Sequence, residues 1–245
     1  IHEKSNHLIK LQKKKLNFKK IIWIKDLKKI NKSPSIFIAN EFFDALPIKQ
    51  FFKKKDDWFE RYVGFKNSES FEFIDKKFDM KNFEKKNKFN ISNNQKIIEY
   101  SPSAIKYLKL ISNIIKKNNG GLLIIDYGYN DLKMKNTLQA ISKHKHVNIL
   151  ENVGKADITY NLSFKLIKQM INNLENLNTI ITNQRKFLTN MGILKRAEII
   201  SKKETFSKKA DIFYRLKRLI DENEMGNLFK VMLIKKKNNK FKTGF

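Results

Sequence analysis

Asn40, Glu41 and Asp44 follow directly on the apolar run Ile36-Phe37-Ile38-Ala39, and Asp126 and Tyr127 follow Leu122-Leu123-Ile124-Ile125. In open α/β sheets, ligands bind in the crevice beyond the carboxyl ends of the strands, so two apolar runs ending in acids point to one shared crevice. Carboxylates there suit a cationic substrate. They accept the planar guanidinium fork through two parallel hydrogen bonds, and they can orient and polarise a protonated nitrogen that is otherwise a poor nucleophile. Glu41 and Asp44 straddle Phe42-Phe43, so the aromatic pair can pack inward while the acids face the crevice and Asp126 joins them from the next strand. A plainer reading makes Asn40 or Asp44 a helix or turn cap, and spacing alone leaves both open. Tyr127 and Tyr129, around a flexible Gly128, could equally cover an edge of the core.

Other candidates are thinner. Glu3 ends what reads as a strand, where an acid typically accepts hydrogen bonds from ribose hydroxyls in nucleotide-binding sheets. A solvated strand-end glutamate fits the same residue. His144 and His146 alternate in a way a metal could use, but no further His, Asp or Glu ligands cluster around them, so a metal is not expected. Gly154-Lys155-Ala156-Asp157 lacks the Lys-Ser/Thr pair of a phosphate-binding loop. With no cysteine in the chain, disulfides, thiolate zinc sites and cysteine nucleophiles are excluded.

The elements that must position these residues alternate between helix and strand. Asn6 to Leu16 reads as a lysine-rich amphipathic helix, Ile21 to Ile24 as a short strand, Asp26 to Ile30 as a turn, and the run from Ile36 as a second strand. Residues 50–98 change character: aromatic-rich, partly alternating segments predict an inserted antiparallel meander. Ser101 then caps a helix opening at Pro102, with Ile105, Leu108, Ile111, Ile114 and Ile115 in one stripe, and Gly120-Gly121 ends it. After the strand ending at Asp126, residues 130–161 form a long polar loop, expected to be a lid or substrate loop. Ser163 caps a helix to about Asn173, Asn178 to Thr182 is a strand, Gln184 to Met191 and Phe206 to Leu219 are helices, and Leu228 to Ile234 is a final strand. One domain over residues 1–245 accounts for all of this.

The chain of 245 residues carries a formal net charge of +28, almost all of it from lysine. A phosphate-binding face is one reading of that excess. The other is a biased solvated surface, because lysine is the weaker choice for forked recognition and the lysines are spread along the whole chain. No apolar run approaches the roughly 18 residues of a membrane span, so a soluble intracellular protein is expected.

Taken together, the segments IFIANEFFDALPIKQF, WFERYVGF, GGLLIIDYGY, TLQAISKHKHVNILENVGKADIT, NLSF, TNQRKFLTNMGILKRAE and MGNLFKVMLI resemble, in order, the MidA-like S-adenosylmethionine-dependent methyltransferases. That family includes the mitochondrial complex I assembly methyltransferase. The resemblance implies an α/β class I methyltransferase fold, a doubly wound sheet with S-adenosylmethionine in its switch-point crevice. It also implies methylation of an arginine on a subunit of respiratory complex I, in the mitochondrial matrix or the cytoplasm of an AT-rich bacterium. Carried over, Glu3 binds the cofactor ribose, and Asn40 and Glu41 stand beside the methyl donor with Asp44 close behind. Asp126 and Tyr127 match the Asp-Tyr-Gly segment, and Asp157 and Thr159 match a Gly-x-x-Asp-x-Thr stretch expected to meet the substrate. The expected assignment is therefore Glu41, Asp44 and Asp126 as catalytic residues, Glu3 and Asn40 at the cofactor, and Tyr127, Asp157 and Thr159 at the substrate. One departure stands out: the glycine-rich turn that should precede Glu3 is absent, as expected of an N-terminally truncated sequence lacking its first βα unit. Two other functions fit the same residues. Asn-Glu-Phe-Phe is similar to the Asn-Pro-Pro-aromatic stretch of nucleic-acid methyltransferases, and a non-catalytic assembly factor could use the fold to hold a respiratory subunit.

Overall fold

The computed structural model describes residues 1–16, 20–30, 33–67, 70–143, 145–151 and 153–245. Helix α1 (Asn6–Lys15) starts at Ser5, whose hydroxyl accepts the Leu8 N–H, and strand β1 spans Ser35–Asn40. Between them, Ile21 to Ile24 does not form the expected strand. Among the described residues only Ile24 pairs, in a single parallel bridge to His2. The chain continues through β2 (Lys49–Lys54), β3 (Asp57–Phe65), β4 (Phe71–Phe78), helix α2 (Met80–Asn87) and β5 (Ile97–Tyr100). These four strands make a separate antiparallel sheet in the order β4-β3-β2-β5, with α2 inserted before the last strand and started by the Asp79 carboxylate.

Helix α3 (Pro102–Asn118) opens as its sequence dictates, with Ser101 Oγ accepting the Ala104 N–H and proline in the first turn, where a missing N–H costs nothing. It leads into β6 (Gly120–Tyr129), the central strand. The stretch expected as a polar loop carries three short strands, β7 (Gln139–Ser142), β8 (Lys145–Val147) and β9 (Asp157–Thr159), paired in the order β8-β7-β9. Strand β10 (Leu162–Ser163), helix α4 (Phe164–Asn172), β11 (Leu177–Asn183), helices α5 (Gln184–Asn190), α6 (Ile193–Ser201), α7 (Phe206–Ile220) and α8 (Met225–Leu228), and β12 (Phe229–Lys236) complete the chain. No described helix is long and apolar enough to cross a membrane.

The main sheet runs β1-β6-β12-β11, with β10 beside the end of β6. β1 and β6 are parallel, whereas β12 is antiparallel to both its neighbours. Period-two alternation divides β6 cleanly. Leu122, Ile124 and Asp126 point to the face that α3 and α4 cover, where the main core gathers Phe43, Leu108, Ile115, Phe164 and Ile171. Each such side chain contributes about 1.5–3 kcal/mol on burial. On the opposite face, Leu123 and Leu233 line a cavity together with Phe187 of α5 and Met191 just after it. Helices thus lie on both faces, as expected for a class I methyltransferase, with α5 over the β11–β12 side of the second face and Ile36 and Ile38 of β1 left exposed there.

Gly128 is not the flexible hinge its neighbours suggested. A Cβ there would lie 2.4 Å from the Leu162 carbonyl oxygen, so glycine is what lets β10 close on β6.

Candidate active site

The register of the parallel pair sets the site. Asn40 lies opposite Ile125, and the Glu41 N–H extends the ladder by donating to the Ile125 carbonyl at 2.9 Å. Glu41 and Asp126 are therefore each one residue beyond the last paired position. Their side chains then part. Glu41 takes a left-handed backbone conformation (φ 46°), uncommon for a residue with a Cβ, and its exposed carboxylate accepts the Asn40 amide at 3.2 Å. Asp126, on the core face with Ile124, is wholly buried.

The Asp126 carboxylate does not face the crevice, as had been expected from its place at a strand end. Its Oδ2 accepts the N–H groups of Phe43 (3.0 Å) and Asp44 (3.4 Å), and its Oδ1 accepts the N–H of Tyr127 (3.0 Å). It clamps the turn that follows β1. Burial, helped by the nearby Asp44 charge, pushes its pKa up to about 7 despite the three N–H donors. Asp44 is itself buried. Thr159 Oγ1 donates to its Oδ2 at 3.0 Å, its carbonyl accepts the Tyr160 N–H, and among the described residues its Oδ1 has no hydrogen-bond partner. Burial raises the Asp44 pKa, the Thr159 hydroxyl lowers it, and the Glu41 charge raises it further. Glu41, Asp44 and Asp126 thus form a graded series of acids from surface to core.

Tyr127 packs its ring on Phe229, with centroids 4.2 Å apart. Its phenol is held above the ordinary range by burial first and then by Glu41, Asp44 and Asp126, which keeps it a neutral donor beside the acids. Thr159 is brought to the site through Asp44, whereas the Asp157 side chain is exposed on β9. Glu3 bonds locally: its carboxylate accepts the Ser5 N–H at 2.8 Å and the Gln12 amide at 3.3 Å, and Gln12 in turn accepts the Trp23 indole N–H. His144 lies outside the described residues. Among the described residues no group of three or more His, Cys, Asp or Glu could hold a metal.

Two participants escaped the sequence reading. Glu99, buried near the end of β5, accepts from the Gln50 amide (2.8 Å), from the backbone N–H of Thr137 (2.9 Å) and Leu138 (3.0 Å), and from the Thr137 hydroxyl. It fastens the β7 segment to the second sheet. An acid inside the apolar run Ile97-Ile98-Glu99-Tyr100 was the available signal. His2 is the other: its Nδ1 meets the Ile24 carbonyl and its Nε2 the Tyr107 hydroxyl, each at 3.1 Å.

A cavity of about 510 Å³ runs along the outer edge of β1, walled by His2, Ile24, Phe37, Phe42 and Tyr107, with Asn40 at the strand end. Apolar walls with a few convergent polar groups suit a nucleoside-bearing group. The fit to S-adenosylmethionine is therefore good on the strand-end side, where Asn40 supplies a polar partner. Glu3 follows His2 of the wall directly in the chain.

Residues 1–182 match a family described as "Putative S-adenosyl-L-methionine-dependent methyltransferase". The protein arginine methyltransferase NDUFAF7 of Danio rerio is 28% identical over 211 residues, which cover 85% of this chain and 49% of that protein. The Caenorhabditis elegans NDUFAF7 homolog is 31% identical over 180 residues, covering 71% of this chain and 41% of that protein. Both relatives are named as mitochondrial, and the chain spans about half their length or less. A candidate methyltransferase from Burkholderia thailandensis, crystallised with S-adenosyl-homocysteine, superposes with a TM-score of 0.73 at 21% identity, covering 91% of this chain and 58% of that one. The sheet, its two helical layers and the matched residues lead to one family: this chain belongs to the S-adenosyl-L-methionine-dependent methyltransferases.

Proposed function

We propose that the chain carries the acceptor side of a protein arginine methyltransferase active site. The observation that carries this reading is the left-handed Glu41, which projects an exposed carboxylate from a strand end directly beside the buried Asp44–Asp126 pair. A non-glycine residue in that conformation costs roughly 1–3 kcal/mol, and such strain persists where the surroundings over-determine it. The names of the relatives, arginine methyltransferases, agree with a site whose acids suit a guanidinium.

In this reading the bound cofactor supplies a methyl group on a sulfonium, held in the cavity beside Asn40. Glu41 accepts the substrate guanidinium through paired hydrogen bonds and turns one nitrogen toward the donor. Asp44, through its unpartnered Oδ1, offers a second acceptor and damps the charge on the guanidinium. Asp126 touches neither reactant. It is a positioning residue that fixes the turn bearing Asp44. Tyr127 donates toward the acids, and Thr159 holds Asp44 in its rotamer; Glu3 serves the cofactor ribose once released from Gln12, and Asp157 meets the substrate from β9. Alignment of this kind is worth about 7–11 kcal/mol in the best intramolecular cases.

The substrate we infer is an arginine of a respiratory complex I subunit, which places the protein in the mitochondrial matrix or a bacterial cytoplasm. Incubating complex I subunits with S-adenosylmethionine and the chain, then mapping methylarginine by mass spectrometry, tests this. Methylarginine on one subunit is expected; methyl groups found on RNA or DNA instead would overturn it.

A further inference from the structure

A cavity of about 1030 Å³ lies away from the acidic site. It lies beyond the end of β6, between the β2–β5 sheet, the residues after β6 and the first turn of α4. Five lysines line it, Lys53, Lys55, Lys96, Lys133 and Lys165, and no acid does. None of the five forms an ion pair among the described residues. Like charges converging in a concave, low-dielectric wall focus their field on whatever enters.

The walls are built rather than incidental. Glu84 accepts the N–H groups of Ile91 and Ser92, both at 2.7 Å, and so fixes the loop before β5. Gln95 then joins that loop to the opposite wall, donating to the Leu132 carbonyl at 3.0 Å and accepting the Met134 N–H at 2.7 Å. The Lys53 N–H donates to the Lys96 carbonyl at 2.9 Å, which holds two of the lysines side by side. A groove stitched in this way fixes the backbone from which the lysines project.

The remaining lining selects among polyanions. It consists of amides and aliphatic side chains such as Ile91, Leu132 and Leu166, with no aromatic residue and no arginine. Single-stranded nucleic acids are held by aromatic stacking platforms and by arginine, neither of which is present. An extended acidic peptide needs only what the groove has: spaced ammonium groups for its carboxylates, amides for its backbone and aliphatic surface for its side-chain stems. We propose that this groove docks an acidic segment of the protein substrate, while the acids beyond β1 receive its arginine. The inference rests on reading the chain as a protein methyltransferase, and it assigns the substrate a signature, a run of Asp and Glu at a distance from the modified arginine.

Fluorescence anisotropy with a labelled peptide of alternating Glu and Ala tests it without any methyl transfer, so its outcome is separate from the success of the catalytic reading. A variant with Lys53→Glu, Lys133→Glu and Lys165→Glu is compared with a control carrying Lys116→Glu, Lys236→Glu and Lys237→Glu, which changes net charge equally at another lysine-lined hollow. The groove variant is expected to bind about tenfold more weakly and the control nearly as well as the unmodified chain. Equal weakening in both variants would reduce the effect to overall charge and overturn the proposal. So would tighter, groove-dependent binding of a single-stranded oligonucleotide carrying the same number of charges. Circular dichroism spectra matching the parent for both variants exclude misfolding as the cause.

Discussion

Asp126 shows how a residue's type and its role can separate. The residues around it suggest a strand-end acid, but β6 runs on to Tyr129 and Asp126 pairs with Lys230 inside it. Its partners, however, are backbone N–H groups, because the alternation that buries Leu122 and Ile124 also buries Asp126. The unbroken apolar run Leu122 to Ile125 hides the alternation, and the sequence could not show that the turn at Phe43 and Asp44 would fold back over the carboxylate. The consequence is a pH dependence with a definite sign. A carboxyl whose folded pKa is near 7, against an ordinary value near 3.9, binds more protons folded than unfolded between those two values. Stability from this group is therefore present at low pH and lost as pH rises through about 7. Denaturant midpoints measured from pH 5 to pH 8 are expected to fall with pH in the parent chain, and Asp126→Asn is expected to flatten that slope. Glu41 supplies a second prediction at this scale. Glycine accepts the left-handed conformation freely, so Glu41→Gly is expected to leave stability unchanged or raise it by up to about 1 kcal/mol. Methyl transfer should nonetheless collapse, a separation that a purely structural role for Glu41 would not produce.

At the scale of elements, local signals were read well and long-range pairing was not. Ser101, Ser163 and the apolar stripe of α3 announced two helices, since capping and 3.6-residue periodicity are local. Ile21 to Ile24 looked like a strand by composition, yet a strand needs a neighbour, and among the described residues only Ile24 finds one. Helix α6 went unread because Gly192, a glycine that reads as a helix end, serves as the left-handed start of the next helix. The segment from 130 to 161 looked like a loop because strands of three or four residues carry too little pattern to be legible. Its anchor is Glu99, which reaches it across the second sheet. Removing that carboxylate leaves the Thr137 and Leu138 N–H groups without a partner, at about 1–3 kcal/mol for each buried donor. Glu99→Ala is expected to speed amide hydrogen exchange across Gln139–Ser142 and Asp157–Thr159 while α3 keeps its protection. Uniform loss of protection throughout the molecule would show that Glu99 supports the fold as a whole.

For the molecule as a whole, the charge of +28 is organised as well as abundant. Lysines are spread along the chain, yet Glu41, Asp44 and Asp126 meet beside β1 and β6, and the cavity of about 1030 Å³ is lined by lysine without acid. Neither arrangement is legible from composition, because it depends on which distant segments meet. The doubly wound sheet, by contrast, followed from the alternation of elements and from the order of the family's segments. The account's central claim is that Glu41 aligns a substrate arginine for methyl transfer without holding the cofactor. It is tested most directly by steady-state methylation of an arginine peptide by Glu41→Gln, alongside calorimetric binding of S-adenosyl-homocysteine to the same protein. A fall in kcat of about a hundredfold with cofactor affinity unchanged is the predicted result. Full turnover by the variant, or loss of cofactor binding in step with activity, would contradict it.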